Sequence, residues 1–279
     1  GEKRPMNGVF GLKGEAAFKG VGIHSGAPSE VLVAPFERPG LFFSLGGGVY
    51  PVESASADGT ARGTTLTFPD GSRVMTVEHL LAALAGLGVW SALLTVSGPE
   101  IPAMDGSAGA FAEALIPLRE PGLEVTPIAV AREVVFGDPR GGYIGVIPSE
   151  RFEIACSISY DPSAIGTQLY EGSVSGDVFA EQIAPARTFV LASEIEGIRE
   201  RGLGLGGSAD NVLVIGDCDP TSSLKYRVPS EPVRHKVLDL IGDLATLGRP
   251  LKGRVIAHRA GHRMHLELVR RIRRSLLLH

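Results

Sequence analysis

The chain has 279 residues, 44% of them hydrophobic and 21% charged, which is enough apolar content to bury large cores and excludes an intrinsically disordered protein. Its length favours two domains over one. A net charge of −4, with basic residues spread out apart from RRIRR at 270–274, gives no electrostatic case for nucleic acid, and two cysteines, Cys156 and Cys218, exclude a disulfide scaffold and any CxxC metal site.

From the N-terminus, GVFGLKGEAAFKGVGIHSG (8–26) alternates small, apolar and polar residues between glycines, which predicts an antiparallel hairpin with His24 on the loop that follows. VLVAPF (31–36), LFFSL (41–45), GVYPV (48–52) and TTLTF (64–68) read as further strands separated by Gly, Pro and Asp turns. At Thr76 the period lengthens to about 3.6, with Thr76 as helix N-cap ahead of VEHLLAALAG. That helix is almost wholly apolar and therefore buried. Glu78 has a favourable place in the dipole of its first turn, but a buried Glu78 and His79 side by side need partners or a metal, because an unpaired buried carboxylate is costly. The uncharged run 80–99 approaches a membrane span in length, yet Gly86 and Gly88 divide it into a short helix and a strand at 90–96. The opening residues lack the apolar stretch of a secretory signal, so a cytoplasmic protein without a transmembrane segment is expected.

In SGPEIPAMDGSAGAFAEALIPL (97–118), Asp105 is either a turn former or a site carboxylate, and Ser107 can cap a helix. REPGLEVTP (119–127) has no periodicity and marks a domain boundary, giving domains 1–122 and 127–279. The second begins with strands, IAVAREVVF (128–136), GYIGVIP (142–148) and FEIACSISY (152–160), so strands followed by helices occur twice. This implies two α+β halves with room for a ligand between them. A helical piece at 194–201 leads through GLGLGGS (202–208) to a strand at 211–215; the glycines could cradle a phosphate or simply permit a turn.

In RHKVLDLIGD (234–243), apolar Val237, Leu238, Leu240 and Ile241 give a helical period that sets His235 and Asp239 four residues apart on one face. Such pairs are common on solvated helices, but this one can also grip a metal. Asp243 lies one turn further on. GRVIAHRAGH (253–262) reads as a strand running into a helix that His262 opens; His258 and His265 carry less argument. Together, His79, His235 and Asp239 would make a three-ligand zinc set with the fourth position open. Glu78 suits a general base, and a protonated His262 paired with Asp243 suits a proton donor, which implies hydrolysis of an amide or ester.

TVEHLLAALAGLGV (76–89), EIPAMDGSAGAF (100–111), APARTF (184–189), GLGLGGSADN (202–211), RHKVLDLIGDL (234–244) and AHRAGH (257–262), together with GVGIHSG (20–26), closely resemble the UDP-3-O-acyl-N-acetylglucosamine deacetylases, zinc enzymes of lipid A synthesis. The resemblance implies an α+β fold of two similar domains, helices packed between outward-facing sheets, and an active site at the domain interface. It implies one Zn²⁺ on His79, His235 and Asp239, Glu78 as base, and His262 with Asp243 as the catalytic histidine and its charge partner. It places Thr188 and Lys236 beside the oxyanion and Phe189 against the substrate. It also implies an insert at about 191–215 forming an apolar acyl passage, with Ile195, Gly207 and Ser208 lining it or nearby, and Ile23 and His24 in a loop near the substrate. Leu191 stands where several relatives have a second aromatic residue, and Gly204 where some have cysteine. Gly145 falls near a basic position of some relatives, which leaves diphosphate recognition to Arg259, Lys236 or another cation. The expected partner is a UDP-linked acylated amino sugar and the expected state a monomer. The alternatives are a metal amidase for another acylated amino sugar and a non-catalytic sugar-nucleotide binding module, though no residue of the set is lost.

Overall fold

The computed structural model describes residues 9–59, 62–160, 164–216 and 225–277; Cys218 lies outside these. Strands β1 (Ala16–Val21), β2 (Pro28–Ala34), β3 (Gly40–Leu45) and β4 (Gly48–Pro51) are followed by helix α1 (Glu78–Gly86), strand β5 (Ser91–Ser97) and helix α2 (Gly109–Leu115). The second half contains β6 (Val134–Gly137), β7 (Tyr143–Ile147), β8 (Phe152–Tyr160) and β9 (Gly166–Ser173). After these come α3 (Ile195–Glu200), α4 (Glu231–Ala245), β10 (Leu251–His258) and α5 (His262–Leu276). This is an α+β fold.

The two principal sheets repeat one plan. The first has the order β1-β2-β5-β3-β4 and the second contains β6-β7-β10-β8-β9. In each, the last strand enters between earlier ones, parallel to one neighbour and antiparallel to the other. Each last strand is also preceded by a helix, α1 or α4, and followed by another, α2 or α5. Alternation puts one face of each sheet in the core: Val31 and Val33 of β2 are buried while Glu30 and Leu32 are not, and Val255 and Ala257 of β10 follow the same rule. α1 packs on α4, α4 also on β8 and β9, α5 on β6 and β7, and α2 on β1, and buried apolar residues of both halves form one continuous core. α1 and α4 come close because α4 has a glycine at the crossing: a Cβ on Gly242 would overlap the Glu78 carbonyl oxygen.

Several local expectations fail for reasons of long-range pairing. Residues 8–26 are not a hairpin. Phe10–Leu12 pairs instead with Arg119–Pro121, more than a hundred residues away, and β1 forms its hairpin with β2, leaving His24 in the turn between them. Thr76 is not an N-cap: it sits at φ 55°, and its hydroxyl donates to the buried Glu100 carboxylate at 2.6 Å, while Val77 is the residue flanking the helix. The stretch 128–136 is not one strand, since Ile128–Ala129 runs parallel to β10 whereas β6 pairs with β7. Ser107 does support the start of α2, accepting the Gly109 N–H at 3.0 Å. No described helix is long and apolar enough to cross a membrane.

Candidate metal centre and active site

The contact between α1 and α4 brings three candidate ligands together. His79, in the first turn of α1, and His235 and Asp239, one turn apart on α4, have ligand-type atoms within 4.8 Å of one another, and all three are buried. Asp239 Oδ1 lies 3.5 Å from His79 Nε2 and 3.3 Å from His235 Nε2, and it has no hydrogen-bond partner among the described residues. An orphaned buried carboxylate oxygen facing two imidazole nitrogens fits a cation between them, because such an oxygen is otherwise costly to desolvate. His235 Nδ1–H donates to the Ala186 carbonyl at 2.9 Å, which turns the bare Nε2 lone pair toward the centre. Burial pushes His235 down to about 4, so it is the neutral imidazole that ligation needs. Burial would raise Asp239, but His235 and Lys236 outweigh it and hold the carboxyl well below its usual range.

A second group meets the first at Glu78 and Asp239. His262 Nε2 is 4.0 Å from Glu78 Oε1 and 3.8 Å from Asp239 Oδ2, while its Nδ1 donates to Asp243 Oδ2 at 2.7 Å. His265 Nδ1 shares that oxygen at 2.8 Å. Burial alone would lower His262, but Asp243 and then Asp239 outweigh it and raise it to about 10. Burial raises Glu78, against the opposing pull of His262 and His79. Lys236 Nζ donates to Asp239 Oδ2 at 3.0 Å and lies 5.6 Å from the centre of the Phe189 ring.

These residues open into one cavity of about 400 Å³. Ile23, His24, Thr188, Phe189, Ile195, Gly207 and Ser208 line it with Glu78, His79, His235, Lys236, Asp239 and His262. Away from the polar end its wall is Val190, Ile195, Ile198, Val212 and Val214, an apolar passage built by α3 and the parallel pair Phe189–Leu191 with Leu213–Ile215. Leu191 belongs to that pair but is not in the lining. Arg259 also lies elsewhere, in a cavity of about 490 Å³ on another side of His262, with Arg140 and Arg263. The glycine run serves close approach. Gly206 donates to the Ile23 carbonyl at 3.1 Å, and a Cβ there would overlap the Gly22 carbonyl oxygen. Asp105 is a turn former that accepts the Ser107 N–H and hydroxyl and pairs with Arg227.

Sequence reasoning missed Thr64, which is fully buried and bonded to both Glu78 and Asp243. It also missed Arg62 in the lining, paired with Glu194 at 3.2 Å, and the passage residues Ile198, Val212 and Val214. The uninterrupted apolar run at 212–215 does not tell which side faces a cavity, and nothing in the local pattern marks Thr64.

A buried pair of imidazoles and a carboxylate, with a second carboxylate and a histidine–aspartate pair beside it, defines a candidate metal site of hydrolytic type. A family model described as LpxC: UDP-3-O-acyl N-acetylglycosamine deacetylase matches residues 11–274, and the chain belongs to this family. It is 39% identical to the UDP-3-O-acyl-N-acetylglucosamine deacetylase of Chlamydia muridarum (strain MoPn / Nigg), over 95% of this chain and 94% of that one. Proteins of the same name from Leptospira biflexa and Myxococcus xanthus (strain DK1622) are 35% and 36% identical, over 93% and 92% of this chain and 87% and 83% of their own lengths.

Proposed function

We propose that the chain hydrolyses the 2-acetamido group of a UDP-3-O-acyl-N-acetylglucosamine, releasing acetate and a free amine for lipid A synthesis. The observation that carries this reading is a single cavity in which the Glu78–His262 pair and the His79, His235, Asp239 set adjoin an apolar passage of acyl-chain character. Family membership and the names of the relatives support the same reaction. His79, His235 and Asp239 would hold one Zn²⁺. When bound, that ion supplies Lewis acidity, polarising the amide carbonyl and bringing the pKa of water to about 7.

The protein's own groups do the rest. Glu78, whose carboxylate burial makes more basic, takes the proton of the attacking water. Lys236 and Thr188, at the polar end of the cavity, stabilise the oxyanion. His262, held protonated by Asp243, gives its proton to the departing glucosamine nitrogen, and acetate remains. Phe189, Ile23 and His24 pack around the sugar, Ile195, Gly207 and Ser208 border the acyl chain, and Leu191 supports that wall from its short strand. Arg259 binds the diphosphate from the arginine-lined cavity next to His262. The working state is a cytoplasmic monomer of two domains, 1–122 and 127–279, with the acyl insert at about 191–215.

Acetate release from UDP-3-O-acyl-N-acetylglucosamine by the zinc-loaded protein tests the reading. It is expected to turn over, and His262→Ala is expected to lose kcat while keeping zinc. Stoichiometric zinc without acetate release from any acylated UDP-sugar would sink it.

A further inference from the structure

Thr64 is fully buried just ahead of the short strand Thr65–Thr67, and each of its polar groups is engaged at the site. Its hydroxyl donates to Asp243 Oδ1 at 2.5 Å, and its N–H donates to Glu78 Oε2 at 2.9 Å. Its carbonyl accepts the Val77 N–H at 3.2 Å, which ties the same residue to the start of α1. The hydroxyl oxygen is 3.3 Å from His262 Nδ1. One residue therefore touches the base, the proton donor and the donor's carboxylate.

We propose that Thr64 is a positioning residue for the hydrolysis, its hydroxyl orienting Asp243 so that His262 is aimed at the leaving nitrogen while its amide holds Glu78. The inference rests on the deacetylase reading. Asp243 Oδ2 is already shared by His262 and His265, and among the described residues Thr64 holds the other oxygen, Oδ1, which helps set the rotation of the carboxylate. The amide interaction survives any side-chain change at position 64. Substitution there isolates the hydroxyl and its effect on the proton donor.

The test uses the zinc-loaded full chain and five variants. Thr64→Val, isosteric but without the hydroxyl, is expected to lower kcat about 10-fold or more, the worth of one charge-assisted hydrogen bond, with KM within about twofold. Zinc content should be unchanged. Thr64→Ser restores the hydroxyl and is expected to stay within about threefold of wild type. Because Thr64 acts through Asp243, adding Thr64→Val to Asp243→Asn should cost little beyond Asp243→Asn alone. Equal losses in the Val and Ser variants, a loss confined to KM, zinc loss, or full additivity with Asp243→Asn would each overturn the proposal. So would a folding requirement, read as failure of both Thr64→Val and Thr64→Ala to fold while Thr64→Ser folds. Wild type is assayed alongside: its inactivity would refute the deacetylase reading itself. The low-field Nδ1–H proton signal of His262, expected to shift in Thr64→Val and not in Thr64→Ser, then still decides the positioning role, and an unshifted signal in Thr64→Val counts against it.

Discussion

α1 and α4 hold the same place in the two halves, each entering just before the strand that completes its sheet, yet they present chemistry in different ways. α1 is nine residues long and buried on nearly every side, so only its first turn, Glu78 and His79, reaches the cavity. α4 is fifteen residues long and leaves Arg234 and Lys236 out of the core, and it sets His235, Asp239 and Asp243 along one face at successive turns. A helix that is apolar all round offers function only at its end. An amphipathic one offers a whole stripe. The two contributions therefore fail differently: α1 through the position of its N-terminus, α4 through its helical period and the anchoring of its first turn.

The largest expected effect comes from the end of α1. Glu78→Gln keeps the shape of the side chain and loses the proposed base, so kcat should fall about 10²- to 10⁴-fold while bound metal is retained, as checked by steady-state kinetics and metal analysis on the same sample. Retained kcat would move the base elsewhere. Next comes the crossing of the two helices. Gly242→Ala forces a methyl group into the Glu78 carbonyl, and a loss of about 3 kcal/mol in denaturant unfolding is expected, with activity reduced because the first turn of α1 moves. An unchanged stability would show that the helices can slide apart freely.

The smallest of these effects concerns the first turn of α4 and depends on pH. Glu231 is buried and accepts the Arg187 N–H at 2.9 Å, the Arg187 Nε–H at 2.8 Å and the Arg227 N–H at 2.8 Å, which holds the segment carrying Ala186 and Thr188 against the helix. Burial would raise Glu231, but the Arg187 interactions outweigh it and lower its pKa. A lowered folded-state pKa means stabilisation that is complete above the ordinary carboxylate value and lost as the pH falls through the folded one. Glu231→Gln should therefore cost about 2 kcal/mol at neutral pH, and the gap to wild type should close on acidification below the usual glutamate range. A gap that persists into acid would assign the loss to packing.

This contrast also explains what was legible in the sequence. The stripe of α4 and the placement of His235, Asp239 and Asp243 follow from a period of about 3.6, and the need of a buried Glu78–His79 pair for a metal and of the reaction for a proton donor joined them to His79 and His262, a set the motif resemblance also implies. β8 coincides with FEIACSISY because every other residue, Ile154, Cys156 and Ile158, is buried. What stayed hidden depends on contacts distant along the chain. Thr64 reads as an ordinary strand residue, and only its meeting with Asp243, 179 residues on, gives it a role. Thr76 has a capping side chain by type, but Glu100 takes its hydroxyl and a left-handed backbone removes it from the cap. The glycine run 202–208 suited a phosphate cradle equally well until Gly206 was seen against the backbone of the Ile23 turn.

The central claim is that α1 and α4 hold one ion between them. Zinc titration of metal-free wild type, His79→Ala and His235→Ala tests it most directly. The expected result is one equivalent bound by wild type and a large loss of affinity in both variants, whichever helix is altered. Full affinity in His79→Ala, with loss only in His235→Ala, would contradict it and confine the metal to α4.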